Sequence, residues 1–467
     1  MPPILFLALA ATVLLILPTP INTLTTRQQP STSHHLLPSL FPPDLPAGLR
    51  GEAVRSSLRT RGVYYTLFSP GDDDAAASST TTTTSSFQSS LLHLTGPGSL
   101  PFLDSKFTTR FAPSTNNPPS SSSSFRPYVR NACYLSPRGH VLDRVAVTVL
   151  SPTEAFLVTS PRSGGALYDR LSKLIFPADE IALTKRDDLF GLCLVGGDAA
   201  ARVTEVLTRC GGGDNDDGVS WDETNDVVCW GAEGVVAVRD GATFLPPCAA
   251  RGYSLFLPPA MATSLLEEWR GDDAVEGGPL EIGLREWDAL RIEAGLPSLP
   301  EMDAATKANP LELLLEVDTE KGCYLGQEAV AAAAKNKRGP ARTLYNVVFH
   351  DDDNDFDDDD AALHPQPGDE LFVLGSSDGI RVGVLTSVAE RGGTGSCATL
   401  ALALVRRAPT LLAQMADMGL DAPAEAEEEE EDLFFGVVTD PLEGLEVICQ
   451  GRCVGRLRVP ARVRLPL

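Results

Sequence analysis

Apolar residues alternate with a period of two along some stretches of this chain and recur every three or four residues along others. Val145, Val147 and Val149 share one face of the segment Val141–Leu150, which predicts a strand, and Glu154–Thr159 predicts its hairpin partner. Upstream, Leu91–Leu103 reads as a short strand, a Gly-Pro-Gly turn and the start of a helix. Leu167, Leu171, Leu174 and Ile175 recur at helical spacing and stop before Pro177, Leu189–Val195 is strand-like, and Val203, Val206, Leu207 and Cys210 mark a helix that ends at Gly211. Further helices are predicted over Met261–Arg270 and Leu284–Ala294, the second closed by Gly295 and Pro297. From about residue 340 the pattern changes to short strands broken by Gly and Pro: Glu370–Leu374, Gly379–Ser387, Thr399–Val405 and Leu445–Val459. An α+β region followed by a small β-barrel is the expected fold class.

The flanks of this pattern are of a different kind. Residues 4–17 form an uncharged apolar stretch, too short for a typical membrane span and of the length of a signal-peptide core. Beyond it Arg27, Arg50, Arg55, Arg59 and Arg61 stand against only Asp44 and Glu52 in a background of Ser, Thr and Pro, which is transit-peptide composition. Residues 1–50 are therefore expected to be a cleavable targeting region. A hydrophobic leader followed by a transit-like segment suits a plastid reached through the secretory route, with the mitochondrion as the alternative. No second stretch long enough to span a bilayer follows, so no membrane association is expected after processing. Residues 51–339 then form the α+β domain and 340–467 the barrel. Ser/Thr runs at 78–86 and 119–124 read as surface-loop insertions.

Charge and cysteines narrow the function. The 467 residues include 38 Lys and Arg against 63 Asp and Glu, a net charge of −25, which argues against direct nucleic-acid binding. Two runs, 351–360 and 425–432, hold fifteen of those acids and read as solvated loop insertions in the barrel. Nine cysteines scattered through a long chain do not make a disulfide framework and suit a reducing compartment. The only close pair, Cys449 and Cys453, lacks the second pair or the histidines that a zinc or iron–sulfur ligand set needs. Trp230, Trp269 and Trp287 fall on apolar faces and are expected in the core.

The most informative stretch is 309–344. Asn309, Pro310 and Glu312 make a capping-box arrangement that predicts a short helix over Leu311–Val317. The chain then reads Lys321-Gly322-Cys323-Tyr324-Leu325-Gly326-Gln327-Glu328, a two-glycine loop feeding an Ala-rich helix that ends in Lys335, Lys337 and Arg338. Gly322 and Gly326 permit backbone conformations and close approaches that other residues resist. Cys323, ahead of a helix N-terminus and two residues from Lys321, sits where a thiolate is favoured, and Gln327 and Glu328 can hydrogen-bond a polar ligand edge. A reactive thiol beside a ligand and a structural cysteine in a tight loop both remain open on these residues alone.

Lys321–Glu328 resembles the K-G-C-Y-x-G-Q-E signature of the folate-binding YgfZ-type proteins, relatives of the aminomethyltransferase (T-protein) of the glycine cleavage system. Arg291–Pro297 resembles the R-I-x-x-G-x-P element ahead of the signature, and Arg342-Thr343-Leu344 the basic-x-Leu that opens the next strand. Leu94–Pro97 with Phe102-Leu103 resembles the opening strand and helix, and Gly139–Asp143 the G-x-x-x-D turn. Two departures weaken the transferase reading. Asp143 is followed by Arg144 where the transferases have a second aspartate, and Gly98 stands where an Asp is usual.

The resemblance implies a ring in which an N-terminal folate-binding region and the barrel surround a central cavity for tetrahydrofolate, with Cys323 facing it. Lys321, Gly322, Tyr324, Gly326, Gln327, Glu328 and Arg342 are the implied cofactor-binding residues, and Cys323 and Asp143 the implied catalytic ones. It also implies an accessory factor in iron–sulfur cluster assembly, with assembly proteins and client apoproteins as partners. The alternatives are a folate-dependent one-carbon transferase with Asp143 as general base and a cysteine-nucleophile enzyme needing His140 or His350 as base; both histidines read as surface residues.

Overall fold

The computed structural model describes residues 57–58, 60, 62–68, 87–112, 125–161, 163, 165–210, 227–230, 235–239, 252–270, 278–302, 306–349, 364–376, 379–389, 399–420, 440–451 and 453–460. The targeting region, the Ser/Thr runs, both acidic runs and His350 lie outside the described residues.

Strand β1 (Val63–Phe68) is followed by β2 (Leu91–Thr95), helix α1 (Ser99–Lys106), β3 (Tyr128–Leu135), β4 (Val141–Ser151), β5 (Glu154–Val158), α2 (Ala166–Ser172), β6 (Ala182–Lys185), β7 (Phe190–Val195) and α3 (Ala199–Cys210). Next come β8 (Val227–Trp230), β9 (Val235–Arg239), β10 (Gly252–Leu257), α4 (Pro259–Arg270), β11 (Leu280–Glu281), α5 (Leu284–Glu293), α6 (Leu299–Met302) and α7 (Gln327–Lys335). The last part holds β12 (Arg342–Phe349), β13 (Glu370–Val373), β14 (Arg381–Val388), β15 (Thr399–Arg406), α8 (Ala408–Asp417), β16 (Glu446–Cys449) and β17 (Cys453–Arg458).

Two sheets and a barrel result. One sheet has the order β11-β1-β7-β10-β9-β8, the other β3-β4-β5-β2-β6, and β12-β15-β14-β13-β16-β17 close into a barrel. Because side chains alternate across a strand, β4 serves two cores. Ala146 faces the layer between the sheets, with Tyr65, Phe87, Phe156, Phe256 and Trp287. Val145, Val147 and Val149 face the other way, against α1 and α2. On the far side of the first sheet, Tyr64, Leu192, Leu255 and Val235 pack on α3 and α4 through Val203, Leu207, Leu265 and Trp269. The layers thus run helix, sheet, sheet, helix.

A separate cluster joins these layers to the barrel, with Leu135 and Val141 on one side, Ile292, Leu313 and Val330 between, and Leu344, Leu400 and Leu404 on the other. Buried polar bonds reinforce it. Arg291 donates to Glu301 Oε2 (3.2 Å), Ser387 Oγ (2.9 Å) and Asp288 Oδ1 (2.7 Å), and Asn346 Nδ2 donates to the carbonyl of Ile292 (2.5 Å). The Arg291–Pro297 element is thereby fastened to barrel strands β12 and β14.

Two expectations need correction. The capping bonds at Asn309 form, Leu311 N to Asn309 Oδ1 (3.0 Å) and Asn309 N to Glu312 Oε2 (3.1 Å), but Leu311–Val317 makes one turn and no helix. Leu314 takes a left-handed φ of 55°, and the Glu312 carbonyl, which a second helical turn would use, accepts from Leu344 N of β12 (2.9 Å). The segment Leu445–Val459 is a hairpin, turned by Gln450 and Gly451 at φ 53° and 73°. The apolar pattern does not predict strands β1, β3, β6 and β8 to β11 or helices α6 and α8; in β3, Arg130 and Asn131 interrupt the apolar alternation.

Candidate functional site

The signature loop is anchored at both ends. At its start Lys321 turns inward, its side chain 2% exposed, and Nζ donates to the carbonyls of Phe107 (2.7 Å) and Thr109 (2.8 Å) with the Asp104 carboxylate 3.9 Å away. The ammonium also lies 5.1 Å from the centre of the Tyr324 ring. Burial pushes the Lys321 pKa down to about 8, against the pull of Asp104 and Asp318. At the far end Gln327 Oε1 accepts from Tyr324 N (3.2 Å), while Gln327 N donates to the Tyr324 carbonyl (3.3 Å).

Gly326 joins the loop to the second motif. Its φ is 81°, and a Cβ there would meet the Ser136 carbonyl oxygen at 2.5 Å and the Cα of Gly139 at 3.1 Å. Gly139 is equally confined, since a Cβ on it would lie 2.6 Å from the Cβ of Ala329 in α7. The Gly139 turn and the start of α7 therefore interlock through two absent side chains. Between the anchors, Gly322 and Cys323 are exposed, and nothing lies within 4 Å of a Cβ built on Gly322.

Beyond the turn, β4 carries Asp143 inward, 1% exposed. Its Oδ1 accepts from Ser160 N (3.2 Å) and its Oδ2 from Ser163 Oγ (2.5 Å). Desolvation outweighs these bonds and pushes the carboxyl up to about 6. Arg144 is held by Glu316 through two bonds, Nη2 to Oε1 (2.7 Å) and Nε to Oε2 (3.2 Å). The residue that replaces the transferases' second aspartate thus closes a bidentate ion pair. Thr108 links the same places, accepting from Cys133 N (2.9 Å) and donating to the Glu316 carbonyl (2.8 Å). Burial raises the Cys133 thiol far above its usual range.

The structure brings the Gly139 turn and the signature together, but it leaves Asp143 buried and Cys323 exposed. Lys321 and Arg342, expected to face a ligand, are engaged by protein groups, Arg342 with both Glu312 oxygens (2.8 and 3.3 Å) and the Thr306 carbonyl (3.2 Å). Tyr324, Gly326 and Gln327 are half-buried, and Glu328 is exposed. His140 lies half-buried in the turn, its backbone N donating to Ser136 Oγ (3.1 Å). Sequence reasoning missed Ser160, Ser163, Glu316 and Thr108. The Ser160-Pro161 step after β5 marks a turn but carries no sign that it faces Asp143. Among the described residues no group of three or more His, Cys, Asp or Glu is placed to hold a metal ion, and no helix is long and apolar enough to cross a membrane.

Comparison with known proteins gives a partial sequence likeness and a broader likeness of fold. No family model matches the chain. The chain is 30% identical to the tRNA-modifying protein YgfZ of Pectobacterium atrosepticum over 163 residues, 34% of this chain and 44% of that protein. It is 29% identical to the YgfZ of Pectobacterium carotovorum over the same length and shares, and 32% identical to that of Escherichia fergusonii over 109 residues, 22% of this chain and 32% of that one. The matches thus span less than half the length of these curated relatives. The crystal structure of the glycine cleavage system aminomethyltransferase T from Bartonella henselae superposes with a TM-score of 0.56 at 19% identity, covering 88% of both chains, a likeness of fold. The chain is thus similar to YgfZ over part of its length and shares the fold of the aminomethyltransferase T over most of it.

Proposed function

We propose that this chain is a tetrahydrofolate-binding accessory factor in iron–sulfur cluster assembly, with Cys323 as the thiol that meets its assembly partners and client apoproteins. The observation that carries this reading is the presentation of Cys323. The loop on either side is pinned by Lys321 and Gly326, while the cysteine itself is exposed. A thiol held at the surface on a fixed loop is suited to a macromolecule that approaches from outside, as a transient ligand or a redox group.

The residues present suit a folate in their chemistry. Glu328 supplies a carboxylate and Gln327 an amide for an amino-pyrimidine edge, the half-buried Tyr324 an aromatic surface, and the exposed Lys335, Lys337 and Arg338 cations for the carboxylates of the glutamate tail. When bound, a reduced folate would supply a carrier for one-carbon units. The relatives are named for tRNA modification; with a net charge of −25 this chain is poorly suited to grip RNA phosphates, so a link to tRNA would pass through a client enzyme. The amino-terminal composition supports a plastid as the place of work.

One observation favours the alternative, a one-carbon transferase: the Asp143 carboxyl, raised to about 6, would titrate near the pH at which a general base works. The pairing of Arg144 with Glu316, where the transferases have a second acid, weighs against it.

Calorimetric titration of tetrahydrofolate into the full-length protein and Cys323→Ala under anaerobic reducing conditions, with complementation of a strain deficient in iron–sulfur enzyme activity, tests the proposal. Equal binding by both proteins with rescue by the wild type alone is expected. Absence of binding by both would end the folate reading, and rescue by Cys323→Ala would end the role of the thiol.

A further inference from the structure

A pair of thiols lies in the barrel, remote in sequence from Cys323 and unused by the reading above. Strands β16 and β17 are antiparallel, and their register sets Cys449 directly opposite Cys453. Alternation along each strand fixes which way the two side chains point. Val447 and Leu457 belong to the barrel core with Cys449, and Cys453 packs against that core from the same side. Directly opposed residues of an antiparallel pair have their Cα atoms about 4.5–5.5 Å apart. A disulfide spans Cα separations of roughly 4.4–6.8 Å, so this register needs no backbone movement to close one. Both residues are thiols here.

The two thiols are not equivalent. Cys449 is fully buried, and its Sγ faces the Asp369 carboxylate at 3.7 Å; the same oxygen accepts from Gln450 Nε2 at 2.6 Å in the turn. Burial and the Asp369 charge push the Cys449 thiol up to about 12, which keeps it protonated at rest. Cys453 is half-buried and stands at the first position of β17, two residues after the exposed Gly451 of the turn. It is the sulfur that a small disulfide can reach.

We propose that Cys449 and Cys453 form a thiol–disulfide exchange site, reversibly oxidised by low-molecular-weight disulfides of the glutathione type. The Cys453 thiolate attacks one sulfur of the small disulfide, a mixed disulfide forms, and one small thiol leaves. Cys449 then attacks the Cys453 sulfur, its proton passing to the Asp369 carboxylate that it faces and from there to water, and the second small thiol leaves. The pair loses two electrons and two protons, and the oxidant is reduced to two thiols.

The test is equilibration of the full-length protein in glutathione buffers of graded oxidised-to-reduced ratio, followed by acid quenching, alkylation and tryptic mapping. Arg452 lies between the two cysteines, so trypsin separates residues 408–452 from 453–456 unless a disulfide joins them. The expected result is the joined peptide, two hydrogens lighter than the sum of its reduced parts, appearing at oxidising ratios and lost on return to reducing ones. Cys449→Ser should stop the reaction at glutathione on Cys453, and Cys453→Ser should leave Cys449 a thiol throughout. Independent alkylation of both cysteines at every ratio in the wild type would overturn the proposal, as would a joined product linking either of them to Cys323. The wild-type map needs no variant to fold, and its result does not depend on whether folate binds.

Discussion

Gly139 and Gly326 face each other so closely that the Cα of Gly139 lies 3.1 Å from the point a Cβ on Gly326 would occupy. One ends the turn that leads into the strand of Asp143 and the other ends the loop that presents Cys323. The two motifs are therefore parts of one packed unit although more than 180 residues separate them in sequence.

Gly326→Ala should break that unit locally. A non-glycine residue at φ 81° is strained, and the new methyl would meet the Ser136 carbonyl oxygen at 2.5 Å. A loss of about 1–3 kcal/mol is expected in urea unfolding, with faster alkylation of Cys323 in the native protein as its loop loosens. Gly322→Ala, with open space around the added carbon, should leave both measurements near wild type.

Asp143 predicts a pH dependence. Its carboxyl is raised from the ordinary 3.8 to about 6 in the fold, so between those values the native state keeps a proton that the unfolded chain has released. Stability from this group is present at low pH and falls as pH rises through that window, by up to about 3 kcal/mol for a shift of about two units. Asp143→Asn, which has no proton to lose, should flatten that part of the profile when urea unfolding is compared at pH 4.5 and 7.5.

The seam between the sheets and the barrel predicts a different response. Glu301 is fully buried, accepts from Ser387 Oγ at 2.5 Å and from Arg291 at 3.2 Å, and the Arg291 side chain is 2% exposed. Glu301→Ala leaves a buried guanidinium with Asp288 as its one acidic partner among the described residues and should cost about 2–4 kcal/mol by calorimetric melting. Replacing both, as Arg291→Met with Glu301→Leu, should recover much of that loss. A double variant no better than the single one would contradict this account.

The targeting proposal is checked in cells. Residues 1–70 fused to a fluorescent protein should deliver it to the plastid, and retention in the secretory pathway or entry into the mitochondrion would contradict that expectation.

The local pattern identified most of the elements that position the site: alternating valines marked β4 and with it the hairpin partner β5, a Gly-Pro-Gly turn announced α1, and an Ala-rich run marked α7. It failed where a tertiary partner took over a backbone group. Leu311–Val317 has a sound capping box, yet β12 takes the Glu312 carbonyl and the helix stops after one turn. It failed also in β3, whose partner strand covers polar positions that on their own suggest a loop.

The sequence by itself determined the K-G-C-Y-x-G-Q-E loop, the likeness to YgfZ and the aminomethyltransferase T-protein, and the succession of an α+β region and a barrel. These reside in residue order and short-range spacing. Only the tertiary structure decided which charged residues remain for a ligand. Lys321 finds its acceptors at Phe107 and Thr109, more than 200 positions away, Arg144 finds Glu316, and Arg342 finds Glu312. A buried charge takes whichever partner the packing brings within reach, and that choice is set by three-dimensional neighbours that no local pattern encodes.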